Sequence, residues 1–253
     1  MAALSARHIH GHGTPEAAWL ASPMLRHMPR ASFDQLAGDA PRLVVVAPHP
    51  DDEVLGCGGL IADAVRRGRD VLVVAVTDGE HCYPALAAWP PARLAELRRA
   101  ELVAAVTTLG LPEAAIHAVA IADGGVRGAG AALANAMHAL LRPDDLALVT
   151  WARDGHPDHE GSADALLDAA ARRGTRVLQY PVWGWHWMQP ESADFAPARA
   201  LRFDLDDALR AAKAEAIACF DSQLGLGPVA APEPILPAHV AERFARPFEV
   251  FLA

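Results

Sequence analysis

Residues 42–53, RLVVVAPHPDDE, decide the fold of this 253-residue chain. The first six, Arg42–Ala47, form a continuous apolar run rich in β-branched side chains, which is typical of a strand buried on both faces of a parallel sheet. The polar residues that follow come directly after the end of this strand. Because ligands of open α/β sheets bind beyond the carboxyl ends of the strands, the stretch predicts a parallel sheet with a site at its edge.

The rest of the chain repeats this alternation of apolar runs and helical patterns. Further strands are predicted at Asp70–Val76, Ala115–Ile121, Leu146–Trp151 and Arg176–Tyr180, with helices at Gly58–Arg67, Pro91–Leu109, Ala131–Leu141 and Ser162–Arg173. We expect the C-terminal part to add edge elements at Leu201–Asp204, Asp206–Leu224 and Pro247–Phe251. The alternation predicts a three-layer, Rossmann-like α/β fold with a mostly parallel central sheet and helices on both faces.

No internal repeat and no low-complexity linker divides the sequence. We therefore expect one domain over residues 1–253. Residues 1–40 are mixed in composition, with a weak helical stretch around Ala17–Leu36, and are expected to form an N-terminal arm packed on that domain.

Composition narrows the class of function. A hydrophobic fraction of 52% supports a sizeable core, and 21% charged residues excludes a disordered chain. The formal net charge of -9, with no run of Lys or Arg, argues against a nucleic-acid partner. No apolar stretch approaches the about 18 residues that span a bilayer, and the N-terminus lacks the layout of a signal peptide. We expect a cytoplasmic enzyme with a small-molecule substrate; its oligomeric state, a homo-oligomer included, stays open.

Two clusters of imidazoles and carboxylates follow predicted strand ends. Residues 48–53 (PHPDDE) come after the first strand, and residues 156–160 (HPDHE) come shortly after the fourth. A catalytic zinc takes three nitrogen or oxygen ligands and leaves a position for water, and His49, Asp52 and His159 supply such a set. The three cysteines stand far apart without a C-x-x-C pair, so thiolate ligands are not expected.

Amide cleavage also needs a base for the proton of water and an acid for the leaving nitrogen. Asp51, next to a candidate ligand, is placed to be the base. His156 is placed to be the acid or to stabilise the tetrahedral oxyanion, and Asp158 to orient His156 and keep it protonated. Alone, each cluster could be a turn or complement a helix dipole. Two of them at the ends of two central strands favour one shared site.

The same residues resemble a known family. Residues 49–53 (HPDDE), followed by residues 56–59 (GCGG), resemble the first motif of the LmbE/PIG-L zinc-dependent de-N-acetylases, and residues 156–159 (HPDH) resemble their second. Further similarity lies in residues 77–80 (TDGE), in Arg98, Glu101 and Leu102, and in Ser222 and Gln223. The resemblance extends over roughly residues 42–225.

This resemblance implies both an activity and a set of residues. The residues are the zinc ligands His49, Asp52 and His159, the general base Asp51, and the acid or oxyanion partner His156 with its support Asp158. Arg98 matches a position at which some members contact a polar or phosphate group of the substrate, with a solvated helix charge as the alternative. Family members typically hydrolyse N-acetylglucosamine-type amides, so the implied reaction removes an acetyl group from the nitrogen of a sugar derivative.

An aromatic segment, residues 183–187 (WGWHW), follows the strand that ends at Tyr180. Aromatic faces stack on sugar rings, and Trp185 is the candidate for a substrate contact. A core or interface patch is the alternative. Asp78 and Asp123, at other strand ends, are candidates for supporting or substrate-binding groups.

Several alternatives stay open at this point. A zinc hydrolase of a larger acyl group, or of a non-sugar amine, would carry the same motifs. A metal-dependent carbohydrate-binding protein, or an inactive relative, would not need Asp51 and His156. A site of histidines and aspartate can also hold ferrous iron or cobalt in place of zinc. A Rossmann dehydrogenase is disfavoured, because no dinucleotide fingerprint follows a strand.

Overall fold

One mixed sheet organises the part of the chain that the computed structural model describes, namely residues 9, 11–84, 88–190, 192, 200–226 and 233–253. Its strands are β1 (Arg42–Ala47), β2 (Asp70–Ala75), β3 (Ile116–Ala118), β4 (Leu146–Thr150), β5 (Arg176–Tyr180), β6 (Ala200–Asp204) and β7 (Phe248–Leu252). They lie in the order β3-β2-β1-β4-β5-β7-β6. Strands β1 to β5 run parallel. β7 pairs antiparallel with β5, and β6 pairs antiparallel with β7 at the edge of the sheet.

Helices cover both faces of this sheet. They are α1 (Glu16–Ala21), α2 (Pro23–His27), α3 (Phe33–Ala37), α4 (Asp52–Arg66), α5 (Pro91–Thr108), α6 (Gly130–Leu140), α7 (Pro157–Arg173), α8 (Gly184–Trp187), α9 (Asp207–Ile217), α10 (Asp221–Leu224) and α11 (Ala238–Ala241). Leu43 and Val45 of β1 face one core with α4 and α5. The alternate residues, Val44 and Val46, face a second core with α6 and α7. The predicted three-layer α/β fold is confirmed. None of these helices combines the length and apolarity that a membrane crossing requires.

The order of the strands creates a crevice at one edge of the sheet. β2 lies on one side of β1 and β4 on the other, each in parallel register. The connections that leave β1 and β4 therefore diverge beyond their carboxyl ends, and such a switch point is where open α/β sheets bind ligands. Both His/Asp clusters follow these two strands.

Two helices begin earlier than the sequence predicts. α4 starts at Asp52 and α7 at Pro157, so each polar cluster runs directly into a helix N-terminus. Gly56 and Gly59 consequently lie inside α4, although glycine is a poor helix former. Close packing explains them, because a Cβ on Gly56 would stand 2.0 Å from the ring of Tyr180. Tertiary packing thus overrides local propensity here.

The described N-terminal residues pack against the C-terminal half of the chain. The weak helical stretch predicted there consists of three short helices, α1 to α3. Trp19 of α1 is fully buried, and its indole Nε1 donates to the carbonyl of Trp185 at 2.9 Å. Residues 1–8 and 10 of the predicted arm lie outside the described residues. The single-domain organisation stays a prediction.

A buried ion pair joins the middle of α4 to α9 and β7. Nζ of Lys213 donates to the carboxylate of Glu249 at 2.7 Å and to the carbonyl of Leu55 at 2.9 Å. The same carboxylate accepts the backbone N–H groups of Gly59 at 2.7 Å and Leu60 at 2.9 Å. Because both charged side chains are buried, these contacts replace the hydration that folding removes.

Candidate metal centre and active site

Three side chains from two strand ends converge at the switch point. His49 stands in the turn after β1, Asp52 begins α4, and His159 lies in the first turn of α7. Nδ1 of His49 is 3.2 Å from Nε2 of His159, and Oδ2 of Asp52 is 3.3 Å and 3.2 Å from these two nitrogens. All three residues are buried. We call them the ligand triangle.

The ligand triangle fits a small divalent cation. In a tetrahedral site with bonds of about 2.0–2.1 Å, as zinc forms, ligand atoms stand about 3.3–3.4 Å apart. The three separations measured here are close to that value. Imidazole nitrogen and carboxylate oxygen suit zinc, ferrous iron and cobalt alike. The described residues therefore form a site that can hold a metal ion, and the donor set alone leaves its identity open.

Burial and mutual contact set the charges of the ligand triangle. Burial favours the neutral acid at Asp52, but the imidazoles of His159 and His49 lower its pKa well below the usual range. At His159, burial lowers the pKa, and Asp52 and Asp154 more than offset it, raising the pKa to about 9. The carboxylates thus favour positive charge at this point, which a bound cation supplies as well as a protonated imidazole does.

Asp51 lies next to the ligand triangle, in the wall of an adjoining cavity. Its backbone φ of 140° is in a region that residues other than glycine seldom adopt. Nη2 of Arg98 donates to its Oδ2 at 3.0 Å. Burial raises the pKa of Asp51 to about 7, against the opposing charge of Arg98. A carboxylate with a pKa near neutrality suits a proton acceptor.

His156 contributes a neutral imidazole to the same cavity. Its ring centroid stands 4.8 Å from those of both His49 and His159. Its Nδ1 accepts the backbone N–H of Asp158 at 3.2 Å, so the proton of the neutral ring is on Nε2. Burial and, after it, the imidazoles of His159 and His49 lower the pKa of His156 to about 3. These contacts favour a hydrogen-bond donor over a general acid.

The carboxylate of Asp158 makes no hydrogen bond to His156, which corrects the prediction that Asp158 orients the His156 ring through its side chain. It accepts the N–H groups of Gly124 at 2.7 Å and Val126 at 3.3 Å. Its Oδ2 is also 3.5 Å from Nε2 of His49. Because Asp158 stands in the first turn of α7, its side chain points to residues 124–126, and only its backbone N–H reaches His156.

Comparison with known proteins connects this geometry to a family. The family model described as PIG-L, GlcNAc-PI de-N-acetylase, matches residues 44–170, which is half of the chain. The chain belongs to the PIG-L family. Both polar clusters, and with them the whole ligand triangle, lie inside the matched residues.

Individual PIG-L relatives and solved structures show how far the similarity reaches. The 1D-myo-inositol 2-acetamido-2-deoxy-alpha-D-glucopyranoside deacetylase of Rhodococcus erythropolis is 31% identical over 181 residues, covering 62% of this chain and 61% of that protein. The pseudoaglycone deacetylase Dbv21 is 25% identical, with a TM-score of 0.64, covering 85% of this chain and 97% of that chain. A 4-carboxy-2-hydroxymuconate hydratase of Pseudomonas putida, 20% identical, covers 81% of this chain and 78% of that one, with a TM-score of 0.57, and shares the fold alone. The matches to the curated deacetylases span between 25% and 61% of their length.

In this PIG-L chain, each imidazole of the ligand triangle also has a carboxylate beside the ring nitrogen that points away from the triangle. Nδ1 of His159 is 2.8 Å from the carboxylate of Asp154, and Nε2 of His49 is 3.3 Å from that of Asp123. Such outer carboxylates fix the tautomer and orientation of metal-binding histidines. Asp123 is a candidate for such a supporting group from its place at a strand end, whereas the sequence motifs did not reveal Asp154, which precedes the second motif by two positions. The available signal was its position in the connection after β4, which also carries the second motif.

Asp154 also ties His159 to the aromatic segment. It is fully buried, and its carboxylate accepts the backbone N–H groups of residues 182–184 at 2.8 to 2.9 Å. Its own carbonyl accepts the indole N–H of Trp187 at 2.8 Å. One carboxylate therefore orients a candidate metal ligand and fixes the start of α8.

Replacing Asp154 by Asn should weaken zinc binding by about 10- to 100-fold, the usual loss when the partner of a metal-binding histidine is removed. The amide oxygen can still accept the backbone N–H groups of Val182 and Gly184, but the amide NH2 group cannot accept the Nδ1–H of His159 or the N–H of Trp183. Asp145→Asn is the matched control, because Asp145 is also buried, precedes β4 and bonds Arg42. Chelator-competition titration measures the dissociation constants. Native affinity in Asp154→Asn would exclude this role for Asp154.

Arg98 lies in the cavity wall, but both Nη atoms of its guanidinium group already donate hydrogen bonds to protein oxygens. Besides its contact with Asp51, Nη2 donates to the carbonyl of Pro50 at 2.7 Å, and Nη1 donates to that of Gly79 at 3.0 Å. The side chain is buried. These contacts favour a role in holding Asp51 in place, and the expected substrate contact of Arg98 stays a prediction.

Trp185 does not line the cavity, which corrects the substrate contact expected for it. Its indole packs edge-on against Trp19, with ring centroids 5.0 Å apart, and stands 4.3 Å from the guanidinium of Arg246. Trp183 and His186 line the cavity instead. Residues three apart lie on the same face of a helical turn. Trp183 and His186 therefore both face the cavity, and Trp185, on the other face, packs in the core.

Proposed function

We propose that this protein is a zinc-dependent hydrolase that removes the N-acetyl group from an amino-sugar-like small molecule. The observation that carries the proposal is the convergence, at one cavity, of a ligand triangle, a carboxylate outside it and a neutral imidazole. A metal-dependent binding protein would need the triangle alone. Membership of the PIG-L family and the deacetylase names of its relatives support the reaction and the substrate class.

The residues divide the chemistry among them. His49, Asp52 and His159 would hold the ion, which when bound supplies Lewis-acid activation of a water molecule. Asp51 accepts the proton that the water loses as its oxygen attacks the amide carbonyl carbon. Nε2–H of His156 donates to the carbonyl oxygen as that oxygen gains negative charge. When the C–N bond breaks, the proton held by Asp51 passes to the leaving nitrogen, which gives acetate and a free amine.

Metal analysis combined with detection of free amine tests this proposal. The protein is assayed as purified, after exhaustive chelation and after zinc is restored, on N-acetylated amino sugars and on N-acetylated amines without a sugar. We expect amine from the sugars, its loss on chelation and its recovery with zinc.

Each other outcome has its own meaning. Full activity after chelation would exclude a metal-dependent reaction. Amine from the non-sugar amides alone would reassign the substrate to a different class. Sugar binding without any release of amine would favour a carbohydrate-binding protein.

A further inference from the structure

The cavity beside the ligand triangle is large enough for more than an N-acetyl group and its sugar ring. Its volume is about 810 Å³, toward the upper end of the about 300–1,000 Å³ of typical small-molecule sites. Much of its lining comes from outside the family-matched residues 44–170, from His12, from Trp183 and His186, and from residues between 233 and 240.

The C-terminal part of this lining is mostly apolar. Besides the polar Glu233 and His239, it contains Pro234, Ile235, Leu236, Pro237 and Val240, which we call the apolar wall. Its members continue into the protein core, with Leu236 and Val240 in the main cluster. Apolar ligand surface placed against such a wall is removed from water, which favours binding.

Hydrogen bonds hold the apolar wall in place. The backbone N–H of Leu236 donates to the carbonyl of Gln223 at 2.8 Å, and that of Ile235 donates to the hydroxyl of Tyr83 at 3.3 Å. A wall fixed in this way loses little conformational freedom when a ligand packs against it. The wall is therefore preformed for binding.

The N-terminal part of the lining is fixed as well. Nη2 of the buried Arg243 donates to the carbonyls of His12 and Thr14, both at 3.0 Å. Nη1 of the same guanidinium lies 3.0 Å from Nδ1 of His186. Arg243 thus fastens the N-terminal segment and α8 together around the cavity.

The described lining residues of the cavity offer no free guanidinium or ammonium group to an anionic substrate. Among its described lining residues, Arg98 alone has a guanidinium or ammonium group, and both its Nη atoms already bond protein oxygens. The lining carboxylates are those of Asp51, Asp52, Asp123, Asp158 and Glu233. Among the described lining residues, a phosphate would find no free arginine or lysine of the kind that phosphate sites use, and it would face these carboxylates.

We infer that the substrate is a neutral glycoside, whose uncharged, largely apolar aglycone packs against the apolar wall. This inference rests on the proposed N-deacetylase function and narrows its substrate class, because it excludes sugar derivatives that carry a phosphate. The apolar wall then determines specificity, while the ligand triangle and its neighbours carry out the reaction.

Three derivatives of N-acetylglucosamine test the inference: the methyl glycoside, the phenyl glycoside and the 1-phosphate. Zinc-loaded protein is assayed for free amine at about pH 8, where a histidine of ordinary pKa is neutral. Burial of the phenyl ring should raise kcat/KM about 10- to 100-fold above that of the methyl glycoside. The phosphate should fall below the methyl glycoside. Equal values for phenyl and methyl glycosides, or preference for the phosphate, would overturn the inference and leave the proposed reaction intact.

Substitutions at Ile235 test the apolar wall itself. Ile235→Ser should reduce the phenyl-to-methyl ratio at least about fivefold, and Ile235→Arg should raise the rate on the phosphate relative to the methyl glycoside. Leu20→Ser is the matched control, because Leu20 is apolar, 53% exposed and outside the cavity lining. A native ratio in both Ile235 variants, with native unfolding temperatures, would overturn the inference.

Calorimetry separates this inference from the proposed function. It measures binding of the phenyl and methyl glycosides to the zinc-loaded protein directly. Tighter binding of the phenyl glycoside without release of amine would reject the N-deacetylase function and support the apolar wall. Equal or absent binding of the two glycosides would overturn the inference.

Discussion

Asp51→Asn should lower turnover by about 10²–10⁴-fold and leave the bound metal in place. The amide oxygen can keep the hydrogen bond from Arg98, and asparagine tolerates a positive φ as aspartate does. The substitution therefore removes the capacity to accept a proton and little else. Steady-state release of free amine, with the zinc content measured on the same sample, checks both parts of the expectation.

Asp78→Asn is the matched control for this substitution. Asp78 also stands beyond the carboxyl end of a strand, but its carboxylate pairs with Arg99 outside the cavity lining. We expect near-native turnover from it. Native turnover in Asp51→Asn would exclude Asp51 as the base, and loss of zinc from that variant would instead place Asp51 among the ligands.

The sequence was sufficient to predict the central strands and the place where the two clusters meet. β1 and β4 are apolar runs that are visible locally, and each cluster follows its strand within a few residues. Because parallel strands end at one edge of a sheet, clusters behind two such strands are expected to approach each other. His49 and His159 are 110 positions apart in the chain, and their ring nitrogens are 3.2 Å apart.

The contacts of Asp154 and the orientation of Trp185 cannot be predicted from local sequence patterns. The carboxylate of Asp154 bonds backbone groups 28 to 30 positions later, which come within reach only when the connections after β4 and β5 are adjacent. The direction of Trp185 depends on α8, a single helical turn between other aromatic residues. Both features follow from tertiary packing, which alternation of residue types does not encode.

The ion pair of Lys213 and Glu249 is another long-range feature, and Lys213→Met should lower the free energy of unfolding by about 3–5 kcal/mol. It would leave the carboxylate of Glu249 buried without its counter-charge and the carbonyl of Leu55 without its donor. Glu249→Leu should cost more, because the N–H groups of Gly59 and Leu60 also lose their acceptor, at about 1–3 kcal/mol each. Urea unfolding of each variant measures these differences.

A double variant separates the ion pair from the hydrogen bonds to α4. Lys213→Met combined with Glu249→Gln removes both charges and keeps an acceptor oxygen, so it should be less destabilised than the sum of the two single changes. Arg210→Met is the control on the same helix, since its partner Asp207 is fully exposed, and we expect a much smaller effect. If Lys213→Met cost no more than this control, the ion pair would not stabilise α4. Close packing of its glycines against the sheet would then be what holds that helix, and with it Asp52, in place.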